Sequence, residues 1–153
     1  MIQTLNRIFE LDAFKELNSE EIEWLQEKSK LKKFEKGEFI FSPGNPSSSV
    51  LFVVEGRVKL GAFNNDGKEM IKHIFFRNEL FGIMAISNQK LRANYSKAMD
   101  DYNEVLEIDV YDMKKLMQKN ASFSLGISKI MGDRLVQFQE RIESLMFKDT
   151  STR

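Results

Sequence analysis

Side chains that could carry chemistry are few. The chain has no cysteine and one histidine, His73. Without thiols, disulfides, thiolate catalysis, zinc–thiolate sites and cysteine-bound iron–sulfur clusters are excluded. A single imidazole cannot build a multi-histidine metal site. It could serve at most as one axial haem ligand, and an ordinary strand histidine is the simpler reading of His73. Asp100, Asp101 and Glu104 gather carboxylates. They lack the ligand alternation and the glycine of a calcium loop, so solvated loop charges are expected there. Lys28, Lys30, Lys32, Lys33 and Lys36 could meet phosphates, but Glu27, Glu35 and Glu38 are interleaved with them, as on a solvated surface. No nucleophile elbow, P-loop or paired-histidine motif is present. Binding rather than catalysis is the expectation, with no metal and no cofactor.

The residues that could bind must be held by a fold, and composition bounds it. Of 153 residues, 42% are hydrophobic and 30% charged, which suits one domain around one core. Lysine plus arginine equals aspartate plus glutamate at 23 each. A nucleic-acid-binding domain usually carries a basic excess, so the chain alone is not expected to bind DNA specifically. The start, Met1 to Arg7, lacks the basic and apolar regions of a signal peptide, and the apolar runs are too short to span a bilayer. A cytoplasmic protein without a membrane partner is expected.

Leu5, Ile8, Phe9, Phe14 and Leu17 recur at helical spacing. Asn18, with Glu21 three residues on, predicts a capped helix start, and Ile22, Trp24 and Leu25 supply its apolar face. Strand patterns follow. Phe39-Ile40-Phe41 is closed by the turn residues Ser42 to Pro46, and Val50 to Val54 is continuously apolar up to Gly56. Val58, Leu60 and Ala62 alternate with Arg57, Lys59 and Gly61, then Asn64-Asn65-Asp66-Gly67 predicts a hairpin returning through Met70 to Phe76. Val105 to Val110 is a last strong strand. Phe81 to Tyr102 mixes small and polar residues, as a structured loop with a short helix would. Met113, Leu116 and Met117 mark a short helix ending near Asn120, and a long helix follows from about Ala121 to Phe147. Many short strands with regular turns predict an α+β fold: a jelly-roll β-roll (double-stranded β-helix) flanked by N-terminal helices and a long C-terminal helix.

Within that helix Met131, Leu135, Phe138, Ile142 and Leu145 follow spacings of four, three, four and three, a heptad seam. Ile127, Ile130 and Val136 lie on another face. One face for the roll and one for a partner helix predicts a homodimer.

This order of elements resembles the sensor domain of Crp/Fnr-type transcription regulators, a cyclic-nucleotide-binding β-roll. Lys36-Gly37-Glu38-Phe39-Ile40-Phe41 resembles the family's K-G-E-x-I-F strand. Pro43-Gly44-Asn45 and Ser47 through Leu60, with the Gly56 turn, resemble the next two strands. Phe81-Gly82 resembles the start of the phosphate-binding cassette, and the long helix resembles the dimerisation helix. Gly44, Gly56 and Gly67 fall where the roll must reverse, and Gly82 would let a ligand approach the backbone.

The resemblance also implies where a cyclic nucleotide would be held, and there the chain departs. cAMP-binding members carry Glu after Phe-Gly for a ribose hydroxyl, and Arg-Ser or Arg-Thr at the cassette's end for the phosphate. Here Ile83 takes the Glu position. An ungapped comparison puts Ala93-Asn94 at the Arg-Ser position and leaves Arg92 one residue off, its side chain expected to point elsewhere unless the loop shifts. Phe138-Gln139 stand where the helix pair that reads the base would be. Gly82, Ile83, Arg92, Ala93, Asn94, Phe138 and Gln139 are thus the pocket candidates. cAMP binding is not expected. The pocket is either packed shut or shaped for an apolar, unidentified small-molecule effector.

The resemblance implies residues 1–147 as the regulatory domain, with the dimerisation helix over roughly 120–147. Residues 148–153 would be a hinge towards a helix-turn-helix domain that the sequence lacks, so DNA contact would come only through that missing part. A chain cut at this boundary is favoured over a stand-alone module. A cupin-type enzyme would need several histidines on a metal, which a single His argues against. A regulatory domain of a kinase or channel fits the seam-to-hinge order less well.

Overall fold

The structure, a computed structural model, describes residue 9 and residues 11–151, with side chains through 147. Leu5 and Ile8, at the start of the expected first helix, lie outside the described residues, as do Thr152 and Arg153.

Two four-stranded antiparallel sheets face each other. One has the order β1 (Lys30–Phe34), β8 (Asn103–Asp109), β3 (Ser49–Glu55), β6 (Leu80–Phe81). The other has the order β2 (Phe39–Phe41), β7 (Tyr95–Ala98), β4 (Val58–Phe63), β5 (Glu69–Phe75). Around the first sheet pack α1 (Ser19–Lys28), α2 (Val110–Lys119) and α3 (Ala121–Ser151). The β-roll expected from the turn spacing is the fold found.

Strand β3 explains the layering. Val50, Phe52 and Val54 point to the helices, packing with Phe14, Leu25, Met113, Phe123 and Ile127. Leu51 and Val53 point the other way, into the roll, with Val58, Phe75, Phe81 and Val105. Alternate residues serve opposite faces, and both faces are dry, hence the unbroken apolar run. On the helix side the Phe14 ring lies 4.8 Å from Phe9 and 5.0 Å from Phe52.

Several local expectations hold. Asn18 Oδ1 accepts from Glu21 N–H at 2.9 Å and Glu21 Oε1 from Asn18 N–H at 3.0 Å, the reciprocal cap of α1. The β4–β5 hairpin turns on Gly67 at φ +81°, with Asn64 Oδ1 accepting from Asp66 and Lys68 N–H. Others need correction. Phe14 sits in a short 3-10 turn (Asp12–Phe14) rather than in a continuing helix. The Phe81 to Tyr102 stretch holds strand β7 as well as a 3-10 turn, Ile83–Ser87. Strand β1 is a further element that the lysine pattern concealed.

The long helix has two environments. Phe123 and Ile127 are buried in the core. Further along, Arg134 Nη2 donates to Leu80 O at 2.5 Å and Arg141 Nη1 donates to Lys72 O, tying the helix to β6 and β5. Beyond this face Leu135, Val136, Ile142, Leu145, Met146 and Phe147 are exposed. Val136 therefore does not share the roll-facing side with Ile127 and Ile130. No helix among the described residues is long and apolar enough to cross a membrane.

Candidate functional site

A cleft of about 590 Å³ opens between the second sheet, the cassette turn after β6, and α3. The sheet contributes Phe41, Leu60, Lys72, His73 and Phe75. The cassette contributes Gly82, Ile83, Met84, Gln89, Arg92, Ala93 and Asn94, and the helix Met131, Gly132, Arg134, Leu135 and Phe138. Six of the seven pocket candidates are brought together here. Gln139 is not among the lining residues and is exposed. The cleft is open rather than packed shut.

Arg92 corrects the ungapped comparison. Its side chain does not point elsewhere: it is 5% exposed and turned into the cassette. Nη1 donates to Gly82 O at 3.0 Å and Nη2 to Ser49 O at 2.6 Å, and the Phe41 ring lies 4.2 Å from the guanidinium carbon. Nε is buried without a hydrogen-bond partner. Burial lowers the Arg92 pKa to about 10, with the charge of Glu107 acting in the other direction. A bridge between Pro46 and Leu91, and bonds from Gly44 N–H to Arg92 O and Arg92 N–H to Asn45 O, fix the backbone here.

Gly82 has φ +71°, the left-handed region. A Cβ there would stand 2.8 Å from Leu51 Cδ1 and 3.1 Å from Arg92 Nη1. Within the chain the close approach that requires glycine comes from Leu51 and Arg92. Ile83 is buried and belongs to the helix-side core while lining the cleft. No carboxylate or hydroxyl side chain lines the cleft.

Among the lining residues that sequence reasoning passed over, two carry charge or titrate beside the Phe75 and Phe138 rings. Arg134 lies over the Phe75 ring at 4.9 Å, and burial lowers its pKa while Glu79 opposes this. Its position, three after Met131 and four before Phe138, was the available signal: a cation inside an apolar stripe. His73 is the strand histidine expected, but it lines the cleft, 6.4 Å from the Phe138 ring. Burial and Arg134 lower its pKa, Glu79 at 3.9 Å raises it, and Arg141 lowers it further.

The seam residues divide. Met131, Leu135 and Phe138 line the cleft, the first and last half-buried and Leu135 61% exposed, whereas Ile142 and Leu145, 57% and 60% exposed, do not line it. Elsewhere, Asp100 receives Arg57 through Nε and Nη2, at 2.7 Å for the shorter, and the arginine holds its carboxyl below the usual range. No group of metal-ligating side chains occurs among the described residues.

Comparison with known proteins gives consistent matches. Residues 31–120 match the family model described as the cyclic nucleotide-binding domain. The chain is 26% identical over 122 residues to the global nitrogen regulator of Nostoc sp., covering 78% of this chain and 54% of that protein. It thus spans about half the length of the curated relatives it matches first. The sensor domain of the transcriptional regulator DNR from Pseudomonas aeruginosa superposes with a TM-score of 0.77 at 18% identity, covering 91% of both chains. The Thermus thermophilus catabolite activator protein gives 0.72 at 22% identity, covering 88% of this chain and 63% of that one. These likenesses establish the fold.

Proposed function

This chain belongs to the cyclic nucleotide-binding domain family, and from that premise we propose that it is the effector-sensing and dimerisation domain of a cytoplasmic Crp/Fnr-type transcription regulator that does not respond to cAMP. In this reading residues 1–147 are the regulatory unit and 148–153 a hinge towards DNA-binding heads. The helix backbone continues to Ser151.

The observation that carries the reading is the composition of the cleft wall. Gly82 and Arg92 of the cassette share one cavity with Met131, Arg134 and Phe138 of α3. A ligand there contacts both the loop and the helix. The same helix turns Leu135, Ile142 and Leu145 outward, suited to the equivalent residues of a second copy. An effector that binds two packings of this helix unequally shifts the dimer between them.

The case against cAMP rests on two of the three departures seen in the sequence, since Arg92 does reach the cassette. Ile83 offers no acceptor for the ribose hydroxyl, which would be left unpaired at a cost of about 1–3 kcal/mol. Phe138 replaces a small hydroxyl residue beside the base. Calorimetric titration with cAMP and cGMP tests this. The expected result is no binding at physiological concentrations; micromolar binding that disappears in Arg92→Ala contradicts it.

A further inference from the structure

We infer that the cleft takes an organic carboxylate with an apolar body, its head on Arg92 and its body between the sheet and α3. This rests on the effector-pocket reading above and specifies the ligand class of that site.

Arg92 is nine-tenths buried without a carboxylate partner. No aspartate or glutamate lines the cleft, and Glu107, which raises the guanidinium pKa through its charge, is ion-paired with Lys32. Its Nε–H has no acceptor, and the bonds to Gly82 O and Ser49 O use one hydrogen on each terminal nitrogen. An arginine carries five N–H donors, so three lack a partner among the described residues. A buried cation with donors to spare is costly until an anion meets it. A planar carboxylate answers the guanidinium fork in shape as well as charge. Lys72 and Arg134, elsewhere on the wall, also favour an anion.

The body of the ligand follows from the other walls. Phe41, Phe75, Ile83, Leu135 and Phe138 present carbon to the cavity. Away from the cassette amides of Gln89 and Asn94 and the imidazole of His73, the side chains of the wall offer no acceptor for ligand hydroxyls. A sugar would leave most of its hydroxyls unpaired, whereas an alkyl chain or an aromatic ring has none to satisfy. A volume of about 590 Å³ accommodates a molecule of that kind with room to spare.

The test is calorimetric titration of the purified chain with octanoate and phenylacetate, each against its matched alcohol, 1-octanol and 2-phenylethanol, with cAMP as a separate arm. At least one carboxylate should bind about tenfold tighter than its alcohol, the value of a charge-assisted pair. In Arg92→Gln that carboxylate should fall to the level of its alcohol. Because Arg92 also braces two backbone carbonyls, the variant could lose its fold; the acid–alcohol comparison on the unaltered chain does not depend on it. Alcohols binding as tightly as acids overturn the inference. Absence of binding by either carboxylate, with cAMP also silent, overturns the inference and leaves the non-cAMP reading standing. cAMP binding tighter than both acids overturns the two together.

Discussion

Burying a charge in an apolar cleft makes its proton an indicator of folding, and His73 is the group placed to report it. Burial and Arg134 depress its pKa, while Glu79 only partly restores it. The unfolded chain, with histidine near about 6.5, binds the proton more readily than the folded one. Stability therefore falls as pH drops below about 6.5 and levels off once the folded form is protonated. Urea midpoints should decline between pH 7.5 and 5.5 in the wild type and decline less in His73→Gln, since no other histidine exists. Equal slopes would contradict this account. At this scale the sequence was partly legible. Ile83 and Phe138 could be placed because a strand end and a helix phase fix them. Arg92 could not, because its direction depends on the length of a loop, and one residue decides which way a side chain faces. Arg134 was hidden by its type: an arginine on a long helix reads as surface until the wall opposite it is known.

The elements differ in how openly the sequence declared them. Strand β3 was plain because both of its faces are buried. The β4–β5 hairpin was plain because Asn-Asp-Gly chemistry sets its turn. Strand β1, Lys-Leu-Lys-Lys-Phe, sits at a sheet edge with three exposed residues, so no apolar alternation marks it. Strand β7 is four residues long within a polar stretch, and its partners β2 and β4 are distant in sequence. The turn between β3 and β4 gives a direct energetic test. Gly56 has φ +83°, and a Cβ there would stand 2.7 Å from Tyr102 O beside the buried Asn103. Gly67 has a similar φ, +81°, with nothing within 4 Å. Gly67→Ala should cost about 1 kcal/mol for the backbone alone. Gly56→Ala should cost about 2 kcal/mol or more, because a backbone oxygen must also move. Denaturation midpoints compare them, and equal losses would show that the turn yields freely.

Across the whole molecule, the roll, the cleft and the long helix form one mechanical unit. Phe123 and Ile127 anchor the helix in the core, Arg134 and Arg141 fasten it to two strand ends, and its far side leaves leucines and isoleucine in solvent. Burying an exposed Leu or Ile side chain against a partner is worth about 1.5–3 kcal/mol each. Three such residues repeated by a two-fold axis would supply the core of the proposed homodimer. The heptad spacing made this helix readable from sequence; that Met131, Leu135 and Phe138 of the seam also line the cleft was not, since spacing alone cannot say which of two adjacent faces a side chain serves. That sharing is what joins effector to dimer in the present account. Sedimentation of the wild type and Leu135→Glu tests it most directly. Leu135 contacts solvent in the single chain, so the variant should keep its fold. The account predicts a dimer for the wild type and a monomer, or a dimer weakened by about a hundredfold or more, for the variant. Dimers of equal strength, or a wild type that is monomeric, would contradict it.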